Sequence, residues 1–218
     1  MGAPRTFYPA FVVLKGRKCV VVGGGRVAGR KVNDLLKAEA AVTVISPALT
    51  PALKRLKDNG RITHRARGFK SSDLSKAFLA IAATGLEETN LRVAAAAEQM
   101  GILVNVVDHP ELCSFIVPSS FRRGPLQVAV STSGASPALA RAIRKDMEAR
   151  YGGVFGKYLH KVRALRKKAV KKIASASERE KFLRLLAGPG VIRKLLKGKE
   201  PGLPVLPGLP SKKLGKKK

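Results

Sequence analysis

Tryptophan is absent from this chain, cysteine occurs twice, and aromatic residues make up 5% of it. Cys19 and Cys113 lie far apart and make neither a disulfide framework nor a zinc pattern. No His, Cys, Asp and Glu cluster has permanent metal-site spacing, so no metal site is expected. No apolar run approaches the roughly 20 residues that cross a bilayer, so no membrane span is expected. The first residues lack the apolar segment of a secretory signal. Together these absences point to a cytoplasmic globular protein. Acidic residues are scarce as well: 14 Asp and Glu stand against 43 Lys and Arg, a formal charge of +29. Residues 151–218 alone hold 20 of the basic residues and 3 of the acidic ones. Such a surface attracts polyanions, whether nucleic acid, anionic lipid or a small substrate with many carboxylates. The plainer alternative is a solvated basic face. With few aromatics and no clear helix-turn-helix or RNA-binding signature, nucleic acid is the weaker choice of partner.

What the sequence does have is a glycine turn between a buried strand and a helix. Cys19 to Val22 read as a strand covered on both faces. Gly23, Gly25 and Ala28 then fall on the G-x-G-x-x-G/A spacing, with Gly24 between the first two. The first small residue permits the tight turn, the second lets a pyrophosphate approach the backbone, and the third allows close helix packing. A helix from Val27 to about Ala38 would turn its free N–H groups toward the phosphates. The pattern alone is common, and a purely structural glycine turn is the alternative. Here it is followed at the right distance by a second strand, Ala41 to Ile45.

Alternation continues with a helix over 50–59, a short strand within 61–65, a strand over 79–83, a helix over 87–100 and a strand over 102–107. This order predicts a Rossmann-type parallel sheet with helices on both faces, over about residues 1–115. Ligands in such sheets gather at the carboxyl ends of the strands, where Gly23, Ser46, Thr84 and Asp108 lie. Two further strand candidates, 114–118 and 126–131, flank a turn expected at 121–125, and a helix follows from Pro137 to about Arg150 with Ser136 as its cap. Residues 116–150 thus read as a small α+β segment. Basic helices over 158–174 and 177–186 make residues 151–197 a helical domain after a break at Gly152 and Gly153. Proline and glycine density over 198–218 suggests a disordered basic tail.

Asp108 closes its strand at the ligand edge and is the best candidate for a proton-handling group. An Asp capping a turn before proline is the plainer reading. Neighbouring His109 reads as a solvated loop residue. A second glycine-and-serine turn, Thr132, Ser133, Gly134 and Ser136, opens a helix that carries Arg141 and favours an anion. An ordinary capped helix start explains the same residues. The position after the second strand, where an acid usually binds the ribose hydroxyls, holds Ser46, Pro47 and Ala48. Loss of that acid removes repulsion against a 2′-phosphate, and Arg26 is near enough to bind one.

Taken together these segments resemble the precorrin-2 dehydrogenase/sirohydrochlorin ferrochelatase family, the amino-terminal module of siroheme synthases. The matching stretches, in order, are Tyr8 to Phe11, Leu14 to Arg17, Val21 to Lys31, Ala80 to Thr84 with Asn90 six residues on, Asn105 to Asp108, Ser114 to Pro118, and Gly124 to Arg141. The resemblance implies NAD-dependent oxidation of precorrin-2 to sirohydrochlorin, with ferrous iron as a further substrate where chelation also occurs. It places the family's essential aspartate on Asp108, as general base. It implies cofactor contacts at Arg26, Val27, Pro47 and Ala48 and favours NAD as the cofactor; Gly23, Gly24, Gly25, Ser46, Thr84 and Asn105, at the glycine turn and along the strand ends, complete the expected cofactor site. Thr132, Ser133, Gly134, Ser136 and Arg141 would meet the polycarboxylate tetrapyrrole, and Thr132 falls where some members carry a modifiable serine. A homodimer with an exchanged middle segment is also implied, each active site lying between the Rossmann and helical domains. Gly85 and Leu86 depart from the acidic residues common after the family's A-A-T. Two other readings stay open: a dinucleotide-sensing regulatory or nucleic-acid-binding protein, and a noncatalytic tetrapyrrole carrier.

Overall fold

Five short strands, each bracketed by a helix or a turn, set the frame of the amino-terminal half. The structure, a computed structural model, describes residues 6–207. The chain divides after Val117 into two compact units. The first runs β1 (Lys18–Val22), α1 (Arg26–Lys37), β2 (Ala41–Ile45), α2 (Pro51–Asp58), β3 (Thr63–Arg65), β4 (Leu79–Ala82), α3 (Glu87–Gln99) and β5 (Leu103–Val106). All pairings are parallel and the strand order is β3-β2-β1-β4-β5. The chain therefore steps outward from β1 to β3 and returns to the other side of β1. The β1/β4 boundary is the switch point at which such sheets bind ligands.

Period-two alternation divides the strands between two apolar layers. Val20 and Val22 pack with Ala80, Ala82, Val104 and Val106 on one face, whereas Cys19 and Val21 pack with Val42, Val44 and Ile81 on the other. The helix α1 seals the second face through Ala28, Val32 and Leu35, a stripe at spacings of four and three. Each such Val or Leu, fully buried, contributes about 1.5–3 kcal/mol.

The edge strand β3 is anchored by a carboxylate that the sequence pattern did not single out. Asp73 is buried, and it accepts hydrogen bonds from Arg65 (2.5 Å), Arg67 (2.6 and 2.8 Å) and the Lys70 amide (2.9 Å). The Lys18 ammonium donates to the carbonyls of Asp73 (2.9 Å) and Ser75 (2.7 Å), at the amino end of β1. This knot fixes the passage from β3 to β4. It also carries the Arg65 and Arg67 guanidiniums to that buried carboxylate.

The second unit opens with an antiparallel hairpin, β6 (Ser119–Arg123) and β7 (Leu126–Val130), followed by α4 (Pro137–Arg150), α5 (Gly153–Lys172), α6 (Ala176–Arg184) and α7 (Pro189–Leu196). The strand expected at 114–118 and the turn expected at 121–125 are displaced. Ser114 and Phe115 instead bond to Val104 alongside β5. Phe121 lies inside β6, buried opposite Val128, and the turn shrinks to Gly124 and Pro125. Arg122 is tolerated there because the hairpin buries a single face. Gly124 has φ +57°, as the first residue of a tight hairpin turn favours. The helix α5 starts at Gly153, five residues before the expected start, so only Gly152 stands outside it.

Residues 198–207 have no regular structure but are not a loose tail. Leu206 is 3% exposed and packs with Ala169, Ile173 and Phe182. Proline and glycine density forbids a helix here but not the insertion of a leucine into a core. The rest of the expected tail, 208–218, lies outside the described residues.

Candidate active site

The floor of the candidate site is main chain. Gly23 has φ +124°, and a Cβ there would lie 2.3 Å from the Ala83 carbonyl oxygen. A Cβ on Gly24 would stand 1.9 Å from the Ala48 oxygen and 2.6 Å from Ser46 Oγ. Both positions therefore require glycine, because the ends of β4 and β2 press against them. Gly25 differs: nothing lies within 4 Å of a Cβ built there. It is the N-cap of α1, and no side chain caps the helix. The Gly29 amide takes the Gly25 carbonyl at 3.0 Å, so the amides of Arg26, Val27 and Ala28 open the first turn without helical partners. Open space before an uncapped helix start fits a pyrophosphate. The residues present fit a bound dinucleotide.

Beside this floor, the loop after β2 is held by its own groups. Ser46 Oγ donates to the Ala48 carbonyl at 2.7 Å, and His64 Nε2 lies 2.9 Å from the Ser46 carbonyl. The Ser46 hydroxyl proton is thus committed within the loop that contains Pro47 and Ala48, leaving its oxygen lone pairs as acceptors. Arg26 is exposed at the start of α1.

Across the switch point, Thr84 Oγ1 donates to Asn90 Oδ1 (2.8 Å) and receives the Leu86 amide (3.1 Å), while Asn90 Nδ2 donates to the Thr84 carbonyl (3.2 Å). Thr84 adjoins Gly23, its amide 3.3 Å from the built Cβ. Its side chain shapes the loop and is not held toward open space. Asn105 is buried in β5. Its amide donates to the Phe115 carbonyl at 3.1 Å and approaches Cys113 Sγ at 3.5 Å. That arrangement gives Asn105 a supporting place in the β5 edge.

Asp108 follows β5 at the same carboxyl edge. It is exposed and has φ +65°, a left-handed conformation uncommon outside glycine, though Asp tolerates it better than most. His109 Nδ1 pairs with Glu111 Oε1 at 3.0 Å. Sequence reasoning missed Lys31, half-buried on α1. Its ammonium is held below the usual lysine range, first by burial and then by Arg30, while Asp34, Cys113 and Asp108 pull the other way. Asp108 is thus among the charges that act on this lysine of the glycine-turn helix. Its signal was a lysine flanking the buried stripe of Ala28, Val32 and Leu35.

In the second unit, the serine turn is largely self-satisfied. Thr132 Oγ1 accepts from the Ser136 amide (3.0 Å), the Ala135 amide donates to the Thr132 carbonyl (2.9 Å), and Ser136 Oγ accepts from Leu139 N (3.2 Å). Ser133 and Gly134 have φ +52° and +91°. With Pro137 lacking an N–H, the start of α4 presents fewer donors to an anion than the sequence suggested. Arg141 is exposed on the first turns of α4. Among the described residues no group of three His, Cys, Asp or Glu could hold a metal ion, and no helix is long and apolar enough to cross a membrane.

A parallel sheet with a glycine turn at its switch point and an uncapped helix start defines a Rossmann-type dinucleotide-binding unit. Residues 10–119 match the model of a family described as putative NAD(P)-binding, and residues 123–150 match a model described as sirohaem biosynthesis protein, central. The chain belongs to this putative NAD(P)-binding family. It is 47% identical over 195 residues to the siroheme synthase of Thioalkalivibrio sulfidiphilus, covering 89% of this chain and 40% of that protein. It is 43% identical over 185 residues to the siroheme synthase of Nitrosomonas europaea, covering 84% and 39%. The chain thus spans about two fifths of the length of these relatives. Among solved structures, SirC, precorrin-2 dehydrogenase, is similar with a TM-score of 0.71 and 26% identity, covering 88% of this chain and 98% of that one. The resemblance expected from the short segments extends to overall sequence and fold.

Proposed function

We propose that this chain oxidises precorrin-2 to sirohydrochlorin with NAD as the acceptor. The observation that carries the reading is the placement of the glycine turn and Asp108 at one edge of the same sheet, in a chain similar over 88% of its length to a precorrin-2 dehydrogenase. The amides of Arg26, Val27 and Ala28 would hold the pyrophosphate, and the loop of Ser46, Pro47 and Ala48 would border the adenosine ribose. When bound, NAD supplies an acceptor for hydride. Oxidation removes two hydrogens from the macrocycle, one as hydride and one as a proton, and Asp108 takes that proton as general base. Lys31, half-buried on α1, adds a basic side chain to the glycine-turn helix. Arg141 and the Thr132 to Ser136 turn would meet substrate carboxylates. A homodimer, ferrous-ion insertion as a second step, and a cytoplasmic setting belong to the same proposal.

Anaerobic incubation with precorrin-2 and NAD, followed by sirohydrochlorin absorbance, tests the reading. Wild type is expected to turn over. Asp108→Asn is expected to lose about 10²–10⁴-fold in kcat while binding NAD normally. Absence of turnover by wild type would overturn it. Adding ferrous or cobaltous ion afterwards separates dehydrogenation from chelation, and replacing NAD with NADP measures what Ser46 tolerates.

A further inference from the structure

β5 is the last strand of its sheet. Val107 N donates to Ala82 O, so the amides and carbonyls of Val104 and Val106 point outward, away from β4. An uncovered edge of this kind invites pairing with other chains and frays. Here its outward groups are taken by residues of the following loop. Val104 N donates to Ser114 Oγ (2.8 Å), and Ser114 N donates to Val104 O (2.9 Å). Val106 N donates to Cys113 Sγ (3.2 Å), and that thiol lies 3.3 Å from the carbonyls of both Val106 and His109. Asn105 completes the closure through Phe115 O.

Asp108 sits inside this loop. The two carbonyls near the Cys113 sulfur belong to residues two before it and one after it, so the sulfur spans the left-handed turn. A non-glycine residue in that conformation costs about 1–2 kcal/mol and persists only when its surroundings impose it. Cys113 is itself buried in the core beside Val104 and Val106, which makes it a fixed post for the loop.

We propose that Cys113 and Ser114 are positioning residues for Asp108: together they close the free edge of β5 and hold the carboxylate's loop in place. This rests on the reading of Asp108 as the base. Both side chains are engaged with the β5 main chain, so their effect is expected in kcat. In the full chain, Cys113→Ala and Ser114→Ala are expected to speed amide hydrogen exchange at Val106 and Val104 respectively. Both should lower kcat about 10–100-fold, with the KM for precorrin-2 and the Kd for NAD within about threefold of wild type. Cys113→Ser, which keeps a hydrogen-bonding group on a shorter bond, should recover part of the loss and serves if the alanine variant fails to fold. Adding Cys113→Ala to Asp108→Asn should cost nothing more, since both act through one carboxylate. Ile62→Ala, beside the opposite edge strand β3, supplies a core-weakened control that keeps its kcat. Unchanged exchange at both amides, full kcat in the clasp variants, or additivity with Asp108→Asn would overturn the proposal. If Asp108→Asn instead turns over normally, the base assignment fails, and the exchange rates alone decide whether the clasp exists.

Discussion

At the scale of single residues, the two informative glycines make opposite demands. Gly24→Ala drives a methyl into the Ala48 carbonyl, so loss of NAD binding is expected together with a lowered Tm. Gly25→Ala meets nothing. It should keep the fold within about 1 kcal/mol yet weaken NAD binding, because its methyl occupies the approach of the pyrophosphate; calorimetric titration beside thermal melting separates the two. Asp73 makes a different prediction. Burial alone would push its carboxyl up, but hydrogen bonds from Arg67, the Lys70 amide and Arg65 hold it at about 2, against an ordinary 3.8. A depressed folded pKa stabilises above the unfolded value and is lost on acidification. About 2 kcal/mol should therefore disappear as pH falls from 4 through 2, measured by denaturant unfolding. Asp73→Asn should remove that acid dependence and cost about 2–3 kcal/mol at pH 7, discounted because both guanidiniums reach solvent.

At the scale of elements, the first unit was legible because four of its five strands are short and apolar and two of its helices stop at glycine. Gly60 and Gly101 have φ +65° and +63° just where α2 and α3 end. The hairpin was less legible. Its strands bury one face, so Arg122 and Arg123 read as turn residues, and Ser114 to Pro118 look like a strand while the hydrogen bonds of Ser114 and Phe115 go to the side of β5. Hydroxyls posed a similar difficulty: Thr84, Thr132 and Ser136 suggested ligands, and the structure uses them for loop closure and a helix cap. Spacing says which groups share an edge but not which already have partners. Ser136→Ala should accordingly cost about 1 kcal/mol through the lost α4 cap, seen in denaturant unfolding.

At the scale of the whole molecule, charge concentrates in the carboxyl-terminal half. The helix α5 carries no acidic residue, and Leu206 folds back onto its core side at Ala169 and Ile173. Leu206→Ala should lower stability by about 2–4 kcal/mol, read as a shift of the unfolding midpoint. With a charge of +29 and a polycarboxylate as proposed substrate, kcat/KM should fall steeply as salt rises from low to physiological strength, while the Kd for NAD changes less. The floor of the candidate site carries a consequence for how such a chain can diverge. What the nucleotide would meet there is peptide bonds, shaped by carbonyls of Ala83 and Ala48 pressing on two glycines. Side chains bordering that floor are free to drift without altering its contour, so selection acts on a few positions where any side chain at all is excluded. A chain that differs from this one at most other positions could for that reason keep the same cradle.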